Sequence, residues 1–240
     1  MSMIRVENLT FSYPSSYDYI FKDVSFQIDT DWKLGFIGRN GRGKTTFMKL
    51  LLGEYEYAGK IMSSLSFDYF PYEVPDKTQL TEQILWEICP SVQEWEFIKE
   101  LSYLKVKADV LWRSFDTLSN GEQTKVLLAA LFLKPEKFLL IDEPTNHLDI
   151  TARKQIAEYL KRKKGFILIS HDRYLLDECV DHILSLNKSG IEVQSGNFSS
   201  WMENFERQQL SEMGENKRLK KEIARMKESS RQSQVWSNKV

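Results

Sequence analysis

The chain has 240 residues, 42% of them hydrophobic, and its 33 Lys and Arg nearly balance 34 Asp and Glu, leaving a formal charge of -1. That composition belongs to ordinary globular proteins and speaks against a disordered chain or a strongly basic nucleic-acid binder. The length allows one large domain, or a domain with an appendage, and the longest apolar runs, such as VLLAALFL from Val126, fall far short of the ~20 residues of a membrane-spanning helix.

The opening MSMIRVENLTFSY lacks the apolar core and cleavage site of a secretory signal, so a cytosolic protein is expected. Ile4 to Phe11 and Val24 to Ile28 alternate apolar and polar residues, the pattern of half-buried antiparallel strands, with the turn YPSSYDY between them. KLGFIG then reads as a short buried strand ending in glycine, followed by a helix from Lys44 with Phe47, Leu50 and Leu51 on one face. Leu80, Ile84 and Ile88, then Val92, Trp95 and Ile98, recur at three and four residues, which predicts a helical subdomain at about 75–117. KFLLID and GFILIS are continuous apolar runs of the kind found in parallel strands covered on both faces, separated by the amphipathic ARKQIAEYLKRKK. Right-handed crossovers would lay them beside the first buried strand. HILSL and IEVQSG close the domain near Gly196. From Trp201 to Arg231 the chain is charged and nearly free of glycine and proline, with Leu219, Ile223 and Met226 on one stripe, which predicts a helical linker or partner-binding arm as readily as a surface helix. Cys89 and Cys179 have no C-x-x-C spacing, and His147, His171 and His182 share no ligand spacing, so incidental buried thiols are expected and no structural metal.

Three stretches carry chemistry. GRNGRGKT, Gly38 to Thr45, fits G-x-x-x-x-G-K-[ST] between a strand and a helix, where backbone N–H groups and the helix N-terminus face an anion. Lys44 would reach the β- and γ-phosphates and Thr45 would hold Mg²⁺. FLLIDE brings Asp142 to the end of a buried strand, as a second Mg²⁺ ligand, with Glu143 placed to orient or deprotonate an attacking water. His171 follows the next buried strand and is expected at the same edge. In LSNGEQTKV, Ser119 and Glu122 form an S-x-x-E capping box. That box leaves Gly121 unexplained, since glycine in a first turn costs up to ~1 kcal/mol relative to alanine, and close approach of an anion would account for it.

In this order the motifs resemble the ATP-binding cassette superfamily, whose LSGGQ signature stands here as LSNGEQ, over about residues 3 to 196. The resemblance implies a P-loop α/β cassette with a mixed sheet core, an antiparallel β subdomain, a helical subdomain and a C-terminal charged helix. It implies ATP and Mg²⁺ as cofactors, and a nucleotide site formed by Tyr13 against adenine with Gly38, Asn40, Gly41, Gly43, Lys44, Thr45 and Thr46. Thr45 and Asp142 would bind the metal, and Glu143, His171 and Lys44 would serve hydrolysis. Tyr17 and Tyr19 compete with Tyr13 for the base, and Asn146, Leu148 and Asp149 would form the D-loop. Ser119 and Gly121 would close over the nucleotide of a second cassette, from the same full-length chain or from a second copy of this one. EPTNHLD, SHDRYLL and the helix after SGNFSSW look like the ABC-F proteins, twin-cassette ATPases that act on the ribosome. The short stretch between Lys44 and Ser119 is similar to their antibiotic-resistance branch. By that resemblance residues 1–196 are a first cassette and 197–240 the start of the inter-cassette linker. Two positions depart from the pattern: Tyr72 stands where the Q-loop glutamine is expected, and Asn120 replaces a signature glycine. An ATPase subunit of a membrane transporter is the alternative reading, and a nucleotide-gated binding module with negligible turnover a third.

Overall fold

A computed structural model of the protein describes residues 2–14, 16–39, 41–187 and 190–237. They divide into two compact units, Met1–Phe198 and Ser199–Val240. In the first, β1 (Met3–Phe11) pairs antiparallel with β2 (Phe21–Asp29) and with β4 (Ala58–Met62), giving the order β2-β1-β4. The alternation read in the sequence is the reason: Ile4, Val6, Leu9 and Phe11 turn inward from β1, and Val24 and Ile28 from β2.

A six-stranded sheet forms the centre, built from β3 (Lys33–Gly38), β5 (Ser66–Phe70), β6 (Lys137–Asp142), β7 (Phe166–Ile169), β8 (His182–Asn187) and β9 (Gly190–Ser195) in the order β5-β6-β7-β3-β8-β9. All neighbours run parallel except β8 and β9, which close the edge as an antiparallel pair. Phe138 to Ile141 and Phe166 to Ile169 are buried along their whole lengths, as strands covered on both faces must be. Helix α1 (Lys44–Leu51) buries Thr46, Phe47, Met48, Leu50 and Leu51. Its Phe47 ring meets Phe21, Phe26 and Phe36, fusing both sheets into one core.

The helical segment comprises α2 (Thr81–Ile88), α3 (Glu94–Tyr103), two short 3-10 turns and α4 (Asn120–Leu133). The expected stripe on α3 is corrected here. Phe97, Glu100 and Leu101 face inward, whereas Trp95 is 63% exposed and Ile98 only partly covered. Glu100 is kept in the interior by hydrogen bonds from Tyr159 Oη at 2.6 Å and Lys163 Nζ at 2.7 Å, which settle the face in favour of a carboxylate over a tryptophan. Helix α4 packs against α2, α3 and β5 and buries Lys125 through Leu131. An all-round apolar helix of this kind belongs in an interior. Both cysteines are buried thiols, Cys89 donating to Ala130 O and Cys179 to Leu175 O. Helices α5 (Ile150–Lys161) and α6 (Arg173–Cys179) complete this unit, with N-caps Asp149 and Asp172 accepting from Ala152 N and Leu175 N.

The second unit is the body of helix α7 (Phe198–Ser237). Trp201 and Phe205 stack on one another with centroids 5.0 Å apart, and Leu219, Ile223 and Met226 are more than half exposed.

Candidate nucleotide-binding site

Because β3, β6 and β7 are parallel, their C-terminal ends share one edge of the sheet, and the loop into α1 lies there with Asp142, Glu143 and His171. Gly43 caps α1 with φ 106, in the left-handed region, and a Cβ added to it would overlap Ile20 Cγ2 and lie 3.3 Å from Phe21 Cζ. Only glycine satisfies both conditions. Among the described residues no side chain caps α1, so the N–H groups of its first turn remain open to an anionic ligand. Gly38 and Gly41 are exposed in the same loop, while Asn40 lies outside the described residues.

Lys44 Nζ donates to Gly38 O at 2.9 Å and Arg39 O at 3.3 Å, which draws the ammonium over the loop. Burial lowers its pKa from the usual lysine value, against the opposing charges of Glu143 and Asp142. Thr45 Oγ1 donates to Asp142 Oδ2 at 3.1 Å, joining the glycine loop to the end of β6. The same carboxylate oxygen accepts from Tyr69 Oη at 3.0 Å. Burial first, and then the Asp142 charge, push the Tyr69 phenol above its ordinary pKa, so it stays a donor.

Glu143 follows with its backbone in the left-handed region, φ 49, anchored by its N–H to Ile169 O at 2.9 Å. A non-glycine residue held there carries strain of about 1–3 kcal/mol. Oε2 accepts from the His171 N–H at 3.4 Å, and Oε1 lies 3.5 Å from His171 Nε2. At that separation Oε1 is buried without a hydrogen bond among the described residues. Burial raises the Glu143 pKa, with His171 pulling the other way, so its carboxylate is a stronger base than an exposed glutamate.

The oxygens of Thr45 and Asp142 suit Mg²⁺, a hard cation that takes few protein ligands and fills its octahedron with water and phosphate. The described residues hold no group of three or more His, Cys, Asp or Glu able to bind a metal without such help. Glu143, next to Asp142 in the chain, keeps one carboxylate oxygen, Oε1, without a hydrogen-bond partner among the described residues, an acceptor suited to a water molecule.

Tyr13 shares a hydrogen bond with Thr46 Oγ1 at 2.8 Å, and its ring packs edge-on against Phe11 and Tyr55, at 5.1 and 5.7 Å. Tyr17 is fully exposed and Tyr19 more than half exposed, so Tyr13 is the one of the three tied to the glycine-loop helix. Ser119 and Gly121 stand elsewhere, at the start of α4, and among the described residues no hydrogen bond or ion pair links them to residues 38–46. The capping box is present: Ser119 Oγ accepts from Glu122 N at 3.3 Å, and Ser119 N donates to Glu122 Oε2 at 2.9 Å. At Gly121 an added Cβ would meet Ala152 Cβ at 3.6 Å, an ordinary contact, so packing within the chain does not demand glycine there.

Sequence reasoning missed β4, β5 and the part β5 plays. Tyr69 reaches Asp142 from β5, whereas Tyr72, at the expected glutamine position, donates instead to Asp68 Oδ2 at 2.6 Å. Lys134 at the end of α4 completes that cluster, 2.7 Å from Asp68 Oδ2 and 4.7 Å from the Tyr72 ring centroid. The aromatic SFDYF was the available signal for a strand. The pairing with Asp142 had none, because it depends on β5 lying beside β6.

A glycine loop, a Thr–Asp pair suited to a metal and a carboxylate with an unpaired acceptor among the described residues lie on one edge of a parallel sheet, an arrangement that fits a P-loop nucleotide site. The chain belongs to the ABC transporter family, whose model matches residues 21–146, just over half of its length. It is 27% identical to ABC transporter F family member 5 of Arabidopsis thaliana, over 97% of this chain and 34% of that protein. It is 32% identical to the ribosome protection protein VmlR of Bacillus subtilis, over 86% of this chain and 38% of that protein. The chain thus spans little more than a third of the length of these relatives. A bacterial Atm1-family ABC exporter with ATP bound shares the fold, with a TM-score of 0.68 at 20% identity over 81% of this chain and 38% of the exporter. No helix among the described residues is long and apolar enough to cross a membrane.

Proposed function

We propose that the chain is an ATP-binding and ATP-hydrolysing cassette of an ABC-F protein that acts on the ribosome and works when paired with a second cassette. The observation that carries the reading is the 3.1 Å hydrogen bond between Thr45 and Asp142, with Glu143 the next residue. It brings together two motifs nearly a hundred residues apart, as one Mg²⁺-nucleotide site requires. Lys44 and the first-turn N–H groups of α1 bind the β- and γ-phosphates, with Gly38, Gly41 and Gly43 in the loop before them and Thr46 in the first turn. Tyr13 stacks on the base. Thr45 and Asp142 would hold Mg²⁺, which when bound supplies positive charge to the phosphates. Glu143 orients and deprotonates the attacking water, and His171 steadies the Glu143 carboxylate and the γ-phosphate. Catalysis is positioning and electrostatics, without a covalent intermediate.

Pairing is supported by Gly121, which the chain's own packing leaves free to be alanine. Ser119 and Gly121 then contact the nucleotide of the opposing cassette. The ribosome reading, and within it the protection branch, is supported by the likeness to VmlR, whose name is that of a ribosome protection protein. The charged helix α7 is suited to be the start of a linker to a second cassette, with residues 1–196 as the first cassette.

The test mixes two inactive variants, Lys44→Ala and Ser119→Arg. In a mixed dimer one site carries both lesions and the other neither, so phosphate release should recover toward a quarter to a half of wild type. ATP-dependent dimers that form, by size-exclusion chromatography, without any recovery would refute action across the interface.

A further inference from the structure

The site contains a polar contact that none of its expected residues supplies. Asp142 Oδ2 takes two hydrogen bonds, from Thr45 Oγ1 on one side and Tyr69 Oη on the other. Thr45 comes from the phosphate loop, Tyr69 from the edge strand β5. Tyr72 cannot serve in its place, since its hydroxyl is engaged with Asp68 and its ring lies under Lys134.

We propose that Tyr69 is a positioning residue of the metal site, its hydroxyl holding the Asp142 carboxylate toward Thr45 so that the pair is already oriented when Mg²⁺-ATP arrives. The proposal rests on the Mg²⁺-nucleotide reading of Thr45 and Asp142. Its physical basis is the rotation of a carboxylate about its Cβ–Cγ bond. Asp142 at the end of β6 is only partly buried, and a single contact to Thr45 leaves the plane of its carboxyl group undetermined. A second donor on a different strand fixes that plane, as groups behind metal ligands generally do, and loss of such a partner typically costs about 10–100-fold in metal affinity. The sheet itself holds Tyr69 in place, because β5 and β6 pair in parallel register with Tyr69 opposite Leu140 and Phe70 opposite Ile141, and Phe70 is buried. The register therefore fixes the backbone position from which the Tyr69 hydroxyl reaches Asp142. The contact also ties the metal carboxylate to the strand that leads into the helical segment.

The experiment measures binding of a fluorescent ATP analogue to the full 240-residue chain, first in EDTA and then at rising Mg²⁺. The chains compared are wild type, Tyr69→Phe, Tyr72→Phe, Asp142→Asn and the double variant Tyr69→Phe/Asp142→Asn. In EDTA, Tyr69→Phe should bind as wild type does. The Mg²⁺ concentration giving half of the affinity gain should rise on the order of tenfold, while Tyr72→Phe follows wild type. On the Asp142→Asn background, Tyr69→Phe should add nothing further. A wild-type Mg²⁺ response in Tyr69→Phe overturns the proposal, and so does an equal loss with and without Mg²⁺, which marks a merely structural role. If Tyr69→Phe melts well below wild type, the comparison moves to the Asp142→Asn background, where additive losses overturn the proposal and non-additive ones support it. A wild-type chain that binds nucleotide without any response to Mg²⁺, or does not bind it, refutes the metal reading of Thr45 and Asp142 itself.

Discussion

Replacing Glu143 with glutamine separates binding from chemistry more sharply than any other single change at this site. The substitution keeps size and shape, and glutamine in the left-handed conformation at φ 49 is strained about as much as glutamate, so the turn after β6 should survive. The side-chain carbonyl can still accept from the His171 N–H, now 3.4 Å from Oε2. What disappears is a buried negative charge and the Glu143 carboxylate oxygen that has no partner among the described residues, Oε1. Loss of the charge removes a repulsion toward phosphate, because Lys44, Thr45 and the N–H groups of α1 remain in place. ATP affinity should therefore be unchanged or tighter. Loss of the base should lower kcat by roughly 10²–10⁴-fold, the usual contribution of a positioned general base, which is about 2.7–5.5 kcal/mol of barrier. The assay pairs phosphate release at saturating ATP with nucleotide affinity by fluorescence titration, at concentrations where ATP drives the chain to dimerise. A kcat within about threefold of wild type would remove Glu143 from the reaction, and a collapse in affinity would mean that it serves the phosphate cradle instead.

The other predictions concern stability and dynamics. Gly43→Ala should destabilise the chain by about 2–4 kcal/mol, from left-handed strain plus the overlap with Ile20, and abolish nucleotide binding; a denaturant midpoint like that of wild type would contradict the geometry. Glu143→Gln should melt above wild type at neutral pH. Its raised pKa means that the fold prefers the protonated form, so the carboxylate's cost is present above that pKa and disappears as pH falls below the ordinary glutamate range. The gap in Tm between the two proteins should accordingly close on acidification, and a gap that widens would reverse the sign of the argument. In α7, amides of residues 216–227 should exchange rapidly in the isolated chain, since Leu219, Ile223 and Met226 are more than half exposed and a helix without a covered face is marginal; slow exchange throughout would show that this face is covered.

Much of the site was legible because its parts are local. The glycine loop, the apolar strand ending in Asp142 and Glu143, and the S-x-x-E cap at Ser119 are each set by a few consecutive residues, through backbone freedom, strand burial and helix-end hydrogen bonding. The strands β1, β2, β3 and β6 to β9 announced themselves by alternation or by continuous apolar runs. Periodicity failed on α3, where Trp95 and Glu100 have exchanged the places hydrophobicity assigns them. Whether a carboxylate is tolerable inside depends on Tyr159 and Lys163, about sixty residues away.

The sequence by itself determined a glycine loop at the start of a helix, an apolar strand ending in Asp142 and Glu143, and a helix cap at Ser119, since each is a short-range property of a strand end or a helix start. Only the tertiary structure decided which groups meet. Parallel pairing of β5, β6, β7 and β3 brings Thr45 and Asp142 within hydrogen-bonding distance and adds Tyr69 from an edge strand that no motif marked. The same packing ties Tyr72 to Asp68 and Lys134, and sets Tyr13 against Thr46 in preference to Tyr17 or Tyr19. Contacts of this kind depend on strand order and register, which arise from burying the whole sheet at once and leave no trace in the spacing of nearby residues.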